Sequence, residues 1–254
     1  MQEGSLDETI QTIGSSPVIT PSFGLSDSSS ADRRAAPVRD VRSVGMTSDP
    51  PRPSDSIEST AVADIDEVDQ MRAHEYGLLA IVFGRAPTRE VLATLAELKG
   101  DATPLGVAHI ELAQAAATAD PDALSREFFD LFVGVGRGEL LPYGSYYLTG
   151  FLHEWPLVRV RTDLAELGIE RTEGNREPED HIAILCEVMA GLASGRFGHE
   201  PGAERAFFDR HLKPWAVRFF VDCETAHHAR FYKVAGALGR MFMEIEAEAF
   251  AMDA

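Results

Sequence analysis

The residues best suited to chemistry lie in one acidic segment that ends in a histidine. The segment reads EPEDHIAILCEVM and places Glu177, Pro178, Glu179, Asp180 and His181 at the predicted start of a helix. Acidic residues are expected there, because they cap a helix and interact favourably with its dipole. Glu177 and His181, four residues apart, would share a helix face and could hold a metal ion. A helical metal site normally recruits a second ligand-bearing helix, so the sequence favours capping over metal binding.

Other candidate reactive groups have ordinary interpretations. GVGRGE, residues 134–139, has the glycines of a phosphate loop. It follows an apparent helix and lacks Gly-Lys-Ser/Thr, which favours a flexible connector. Cys186 and Cys223 lie in apolar helical stretches and are predicted to be buried thiols. Ser145 is not in a strand-to-helix elbow. The sequence therefore assigns no catalytic residue, metal or other cofactor.

Three tyrosines are concentrated in PYGSYYL, residues 142–148. The segment lies between glycines and is interpreted as a connector outside the helices. Tyrosine combines a large apolar face with a polar tip, which suits recognition of another chain. Packing against the protein's own core is an equally good explanation.

The elements that must position these residues are helices. From residue 64 onward apolar residues recur at helical spacing, and no segment alternates with period two. Predicted helices cover about 64–84, 88–100, 105–118, 120–133, 156–167, 178–195 and 231–249, with a further run over 208–219 that Pro214 should break or kink. The predicted fold is all-α, a compact bundle of about eight or nine helices, with two packed helical subdomains as an alternative.

Composition divides the chain near residue 64. Residues 1–63 contain 13 Ser and 6 Pro but a single aromatic residue, Phe23, and are predicted to be a disordered tail. This tail carries 9 of the 41 acidic and 5 of the 23 basic residues, which leaves 32 and 18, or −14, on residues 64–254. This negative charge argues against a surface that binds the phosphates of nucleic acid, and it favours a basic partner. No membrane-spanning or export segment is indicated, which predicts a cytoplasmic protein.

Two motifs in this order resemble the TorD/DmsD/NarJ family, the chaperones of molybdopterin-containing oxidoreductases. The connector matches at Pro142, Tyr143, Ser145, Tyr147 and Leu148, and the second motif retains its Pro-x-Asp-His core in residues 178–181. YGLLAIVFGRAP, HLKPW and ARFYKVAGAL are also similar to family segments, so the resemblance spans about residues 70–250. The serine-rich extension departs from the family pattern.

The resemblance implies a non-enzymatic cytoplasmic chaperone with an all-helical domain over residues 64–254. Such proteins bind the twin-arginine leader or amino terminus of an apo-enzyme until its cofactor is inserted. The client could be a formate dehydrogenase, a DMSO or TMAO reductase, or a nitrate reductase. Carried over by position, the partner-binding residues would be Tyr143, Ser145, Tyr147, Glu177, Pro178, Asp180 and His181. Asp180→Ala and His181→Ala should weaken partner capture while leaving helicity and melting temperature nearly unchanged, and a collapse of the fold would instead identify them as structural caps.

Two other functions stay open. A small metal- or nucleotide-dependent hydrolase would use Glu177, Asp180 and His181, with residues 134–139 near the phosphates. An assembly scaffold would act by oligomerisation alone. Either a monomer or a homodimer that exchanges subdomains across the 168–177 loop is compatible with the sequence.

Overall fold

Ten α-helices and one pair of short strands make up the part of the chain that the structure, a computed structural model, describes: residues 19–21, 66–172, 177–198 and 200–252. The helices are α1 Glu67–Gly84, α2 Arg89–Leu95, α3 Pro104–Thr118, α4 Pro121–Phe128, α5 Gly144–Thr149, α6 Trp155–Glu166, α7 Ile182–Ala193, α8 Ala203–His211, α9 Ala216–Thr225 and α10 Phe231–Met252. A π-helical turn, Phe129–Val133, extends α4. The all-α prediction is confirmed.

Local capping residues begin most of the early helices. Asp66, Thr88, Thr103 and Asp120 each accept a hydrogen bond from an amide in the first turn that follows. Proline occupies the first helical position of α3 and α4, where its missing N–H costs nothing. These signals account for the agreement between predicted and observed starts.

Helix α7 lies at the centre of the bundle. Ten of its twelve residues are buried, and it packs along α1 on one side and against α8 on another. Helix α9 packs on α10, and α10 also contacts α3. The aromatic core joins these layers: the rings of Phe83, Phe132, Phe219 and Tyr232 contact one another at centroid distances of 5.0–6.3 Å. Cys186 and Cys223 are buried free thiols, as predicted.

The strands β1, Ile19–Pro21, and β2, Ile169–Arg171, form an antiparallel pair in which Ile19 lies opposite Arg171. The sequence did not predict either strand. The predicted disorder of residues 1–63 stays a prediction, because all but these three lie outside the described part of the chain.

Every described residue belongs to one compact unit, so the alternative of two helical subdomains does not hold for the described helices.

Three helix boundaries differ from the prediction. Helix α2 ends at Leu95 rather than near Gly100. The connector over residues 142–148 contains a helix, α5. The helix expected from Pro178 begins only at Ile182, because residues 178–180 form a turn and His181 is the N-cap. Pro214 does break the helical run, since α8 ends at His211 and α9 begins at Ala216.

Among the described residues, no helix is long and apolar enough to cross a membrane.

Candidate functional site

The two motif segments meet through their backbones, although they are about 35 residues apart in sequence. Tyr143 and His181 form an isolated antiparallel β-bridge. On either side of it, the Gly144 amide donates to the Asp180 carbonyl at 2.9 Å and the Ile182 amide donates to the Pro142 carbonyl at 2.8 Å. We call this crossing of residues 142–145 with residues 180–182 the junction. It fixes the starts of α5 and α7 against each other.

Asp180 is the buried carboxylate of the junction, with 1% of its surface exposed. Its Oδ2 accepts the Ser145 amide at 2.7 Å and so caps the first turn of α5 from a distant segment. Its Oδ1 is buried and accepts no hydrogen bond from any residue that the structure describes. A buried carboxylate oxygen without a hydrogen-bond donor is costly.

His181 has a structural role at the start of α7. Its Nδ1 accepts the Ala183 amide at 3.1 Å, and its ring lies edge-to-face with Tyr143 at 5.1 Å. Burial lowers the pKa of His181 to about 4, against the opposing effect of the Glu177 carboxylate. The imidazole is therefore neutral at pH 7, and its Nδ1 is already used as an acceptor.

The expectation that Glu177 and His181 share a helix face is wrong, because both precede α7. Glu177 is exposed and accepts the Tyr143 hydroxyl at 2.6 Å. Burial first, and this hydrogen bond second, raise the pKa of Tyr143 well above its usual range. The half-buried Pro178 provides the carbonyl that accepts the His181 amide at 3.0 Å. Glu177 and Pro178 thus stabilise the junction through their hydrogen bonds with Tyr143 and His181.

The side chains of Ser145 and Tyr147 lie in different surroundings, although both residues belong to α5. Ser145 is completely buried, and its Oγ has no hydrogen-bond partner among the described residues. The Tyr147 hydroxyl donates to Asp222 Oδ2 at 2.8 Å, and its ring packs 5.3 Å from that of Trp215. Tyr147 therefore contributes mainly to the contact between α5 and α9, and only part of its ring is available to a partner.

A cavity of about 320 Å³ opens beside Asp180. Its other walls come from α5, α6, α7, the end of α8 and the turn that follows α8, and its lining includes Leu148, Trp155, Arg159, Arg210, His211 and Trp215. Trp215 also packs against the junction, since a Cβ added at Gly144 would lie 3.1 Å from its indole nitrogen. Sequence reasoning found the HLKPW segment only through its family resemblance, and it missed Trp155 and Arg159, which look like ordinary helix residues.

The glycine-rich segment at residues 134–139 is tied to another part of the bundle. Glu139 accepts the His227 amide at 2.6 Å and the His228 amide at 3.1 Å, at the turn between α9 and α10. Arg137 donates to the Tyr146 hydroxyl at 2.6 Å. Within the described ranges, no group of three or more His, Cys, Asp or Glu side chains is arranged to hold a metal ion. The metal-dependent form of the hydrolase interpretation therefore has no preformed ligand group among the described residues.

Comparisons with known proteins extend the resemblance beyond these motifs. Residues 98–221 match the family described as nitrate reductase delta subunit. A chaperone protein TorD from Vibrio cholerae is 30% identical over 130 residues, which cover 48% of this chain and 59% of that protein. A chaperone protein TorD from Vibrio vulnificus is 27% identical over 208 residues, covering 73% of this chain and 97% of that protein.

A solved structure of a redox enzyme maturation protein from Archaeoglobus fulgidus shares the fold. It aligns with a TM-score of 0.50 and 22% identity, covering 68% of this chain and 94% of that one. The motifs, the family match and the curated relatives agree with one another, and they confirm the resemblance to the TorD/DmsD/NarJ family.

Proposed function

We propose that this chain, which resembles the TorD/DmsD/NarJ family, is a non-enzymatic cytoplasmic chaperone for a molybdopterin oxidoreductase. It binds the apo catalytic subunit through a twin-arginine leader or amino terminus. It holds the subunit until the cofactor is inserted, before export or assembly. The client belongs to the group that includes formate dehydrogenases, DMSO or TMAO reductases and nitrate reductases.

The observation that carries this proposal is the Asp180 carboxylate, because the residue lines the cavity and its Oδ1 accepts no hydrogen bond from a described residue. Its carboxylate is held in place by the Ser145 amide, so it is oriented before a partner arrives. A guanidinium donates several hydrogen bonds in a planar fork and pairs strongly with a carboxylate. An arginine of the client is the side chain that satisfies this oxygen best.

The charge of the body supports a basic partner. Residues 64–254 carry 32 acidic and 18 basic side chains, a net charge of −14. Such a charge raises the encounter rate with a basic segment, and the effect weakens as salt is added. Long-range attraction therefore assists association, whereas close contacts at the cavity set the residence time.

Co-purification with a client catalytic subunit tests the proposal. The full chain, tagged, is co-expressed with the catalytic subunit of a molybdoenzyme from the same genome, with and without the subunit's amino-terminal leader. We expect the intact apo-subunit to co-purify and far less of its leaderless form to be recovered.

Two controls keep the result interpretable. A chain carrying Asp180→Asn should recover less subunit at an equal expression level, while a surface variant of α10, Glu248→Gln, should recover as much as wild type. If neither form of any tested subunit co-purifies with a folded chain, the chaperone proposal fails.

A further inference from the structure

The short strand pair joins the serine-rich extension to the segment that leads into the second motif. Residues 19–21 of the extension form β1, and they pair antiparallel with residues 169–171, which form β2. Among the described residues, β2 has no other strand partner, so its ladder hydrogen bonds depend on β1 alone. An isolated pair of strands is at best marginally stable in water. Strand β1 can therefore be released without unfolding of the helical bundle.

Only the first residue of β2 is anchored in the core. Helix α6 ends at Glu166, and Gly168, with a φ of 65°, turns the chain toward β2. Ile169 is buried, whereas Glu170 and Arg171 are exposed. Strand β1 lies over this exposed part and also contacts α7. The two outer residues of β2 thus depend on β1 for their place on the bundle.

Arg171, the last residue of β2, connects this strand with the second motif. Its guanidinium donates to the Glu177 carbonyl at 3.4 Å and lies 3.6 Å from the Glu179 carboxylate. Glu179 is also paired with Arg161 of α6 at 2.8 Å. The residue that follows Glu179 is Asp180, the buried carboxylate of the junction. A displacement of β2 is therefore transmitted to the segment that carries Asp180.

The covalent connection favours pairing within one chain. Residues 22–66 connect β1 to α1, so the concentration of residues 19–21 near β2 is set by this connection and not by the concentration of the protein. The resemblance to the family spans about residues 70–250, and the matched family model covers residues 98–221. The contact between the extension and β2 therefore lies partly outside the region on which the resemblance rests.

We propose that residues 19–21 act as a detachable strap on β2 that regulates the second motif. While the strap is paired, it holds Arg171 against Glu177 and Glu179 and keeps the segment that carries Asp180 in one conformation. When the strap is released, this segment becomes more dynamic and captures a partner less well, because a preorganised site binds more tightly. The effect on capture rests on the proposed function, whereas the ordering of the segment does not.

Hydrogen exchange of the full-length chain, measured by mass spectrometry at low ionic strength, tests the strap. Thr20 lies opposite Glu170 in the register, and like charges at opposite positions destabilise strand pairing. Thr20→Glu should therefore make the amides of residues 169–171 exchange at least about threefold faster than in wild type. The amides of residues 177–181 should also exchange faster. A chain that lacks residues 19–21 should show increases at least as large, while peptides from α2 should exchange as in wild type.

Two matched variants distinguish strand pairing from a general effect of charge. Thr20→Glu/Glu170→Lys places opposite charges across the strands and should restore wild-type exchange. Thr12→Glu makes the same substitution in the extension outside β1 and should have no effect. The inference is overturned if the chain that lacks residues 19–21 exchanges at wild-type rates in both segments. Protection of residues 169–171 that rises with protein concentration would also overturn it, because the strands would then pair between two copies of the chain.

Recovery of a client subunit separates the strap from the proposed function. In the co-purification described above, the chain that lacks residues 19–21 should recover at least about threefold less apo-subunit than Thr12→Glu, because fewer chains are in the binding-competent state. Equal recovery, with exchange faster in the chain without the strap, would overturn the regulatory role. If wild type recovers no subunit, the proposed function fails, whereas the exchange rates still decide whether the strap orders the segment.

Discussion

At the residue scale, Asp180 and His181 of the second motif have structural roles that the sequence pattern does not indicate. Asp180 and His181 are buried, at 1% and 6% exposure, and each accepts a backbone amide that begins a helix. We therefore expect truncation of either residue to lower stability, in contrast to the sequence-based expectation that the melting temperature would change little. In the proposed function, Asp180 would serve folding through Oδ2 and partner binding through its other carboxylate oxygen.

Replacing Asp180 separates these two uses. Asp180→Ala leaves the Ser145 amide buried without an acceptor and should lower the free energy of unfolding by about 1–3 kcal/mol. Asp180→Asn keeps an oxygen for that amide and should cost less, while its lost charge weakens binding of an arginine. Urea denaturation ranks the two variants, and equal losses would show that the amide contact contributes little.

His181 gives stability a predictable dependence on pH. Burial lowers its pKa from 6.5 to about 4, so between these values the unfolded chain binds a proton that the folded chain does not. The neutral imidazole of His181 contributes fully to the free energy of unfolding above pH 6.5. This contribution is lost as the pH falls toward 4, and the total loss is about 3 kcal/mol.

Urea denaturation at pH 7.5 and pH 5.0 measures this effect. Over that interval wild type should lose about 2 kcal/mol more than His181→Asn, which retains a capping side chain but does not titrate. The pKa of His211 is also lowered by burial, despite its contact with Asp163, but His211 is present in both proteins and its effect cancels. Parallel losses in the two proteins would contradict the assignment.

At the element scale, one buried ion network joins α1, α8 and α10. Arg72 donates to both carboxylate oxygens of Glu246, at 2.8 and 2.7 Å, and it also pairs with Glu204. Glu246 is 1% exposed and accepts the Tyr76 hydroxyl at 2.8 Å as well. Removing one member leaves a buried charge without its partner, which costs far more than the pair itself contributes.

Arg72→Met should therefore lower the free energy of unfolding by about 3–5 kcal/mol. Arg240→Met is the control, because Arg240 pairs with Glu224 and Glu244 nearer the surface and should cost about 1 kcal/mol or less. The double variant Arg72→Met/Glu246→Leu should recover part of the loss. Equal effects of Arg72→Met and Arg240→Met would refute the buried network.

Helix boundaries were predictable where the capping signal is local. Asp120 followed by Pro121 begins α4 as expected, because both the acceptor and the restricted φ lie in the sequence itself. Helix α5 was missed because its first turn is capped by Asp180, about 35 residues away. Helix α7 was predicted too early because Glu177 and Asp180 resemble caps but make tertiary contacts, leaving His181 as the N-cap.

At the scale of the whole molecule, the candidate site was predictable in part. The family motifs indicated residues 142–148 and 177–181, and the structure brings parts of both segments together at the junction. The cavity walls could not be read from sequence, because they depend on how α5, α6 and α8 pack. The negative charge of the body, in contrast, needs no structure and already indicates a basic partner.

Isothermal titration of the full chain with a synthetic twin-arginine leader from a molybdoenzyme of the same genome is the decisive test of the proposed function. We expect binding with a Kd of about 10 µM or tighter, a weaker Kd at high salt, and at least tenfold weaker binding by Asp180→Asn. A folded wild-type chain that releases no heat with the leader at tens of micromolar, or an Asp180→Asn protein that binds it as tightly as wild type, would contradict it.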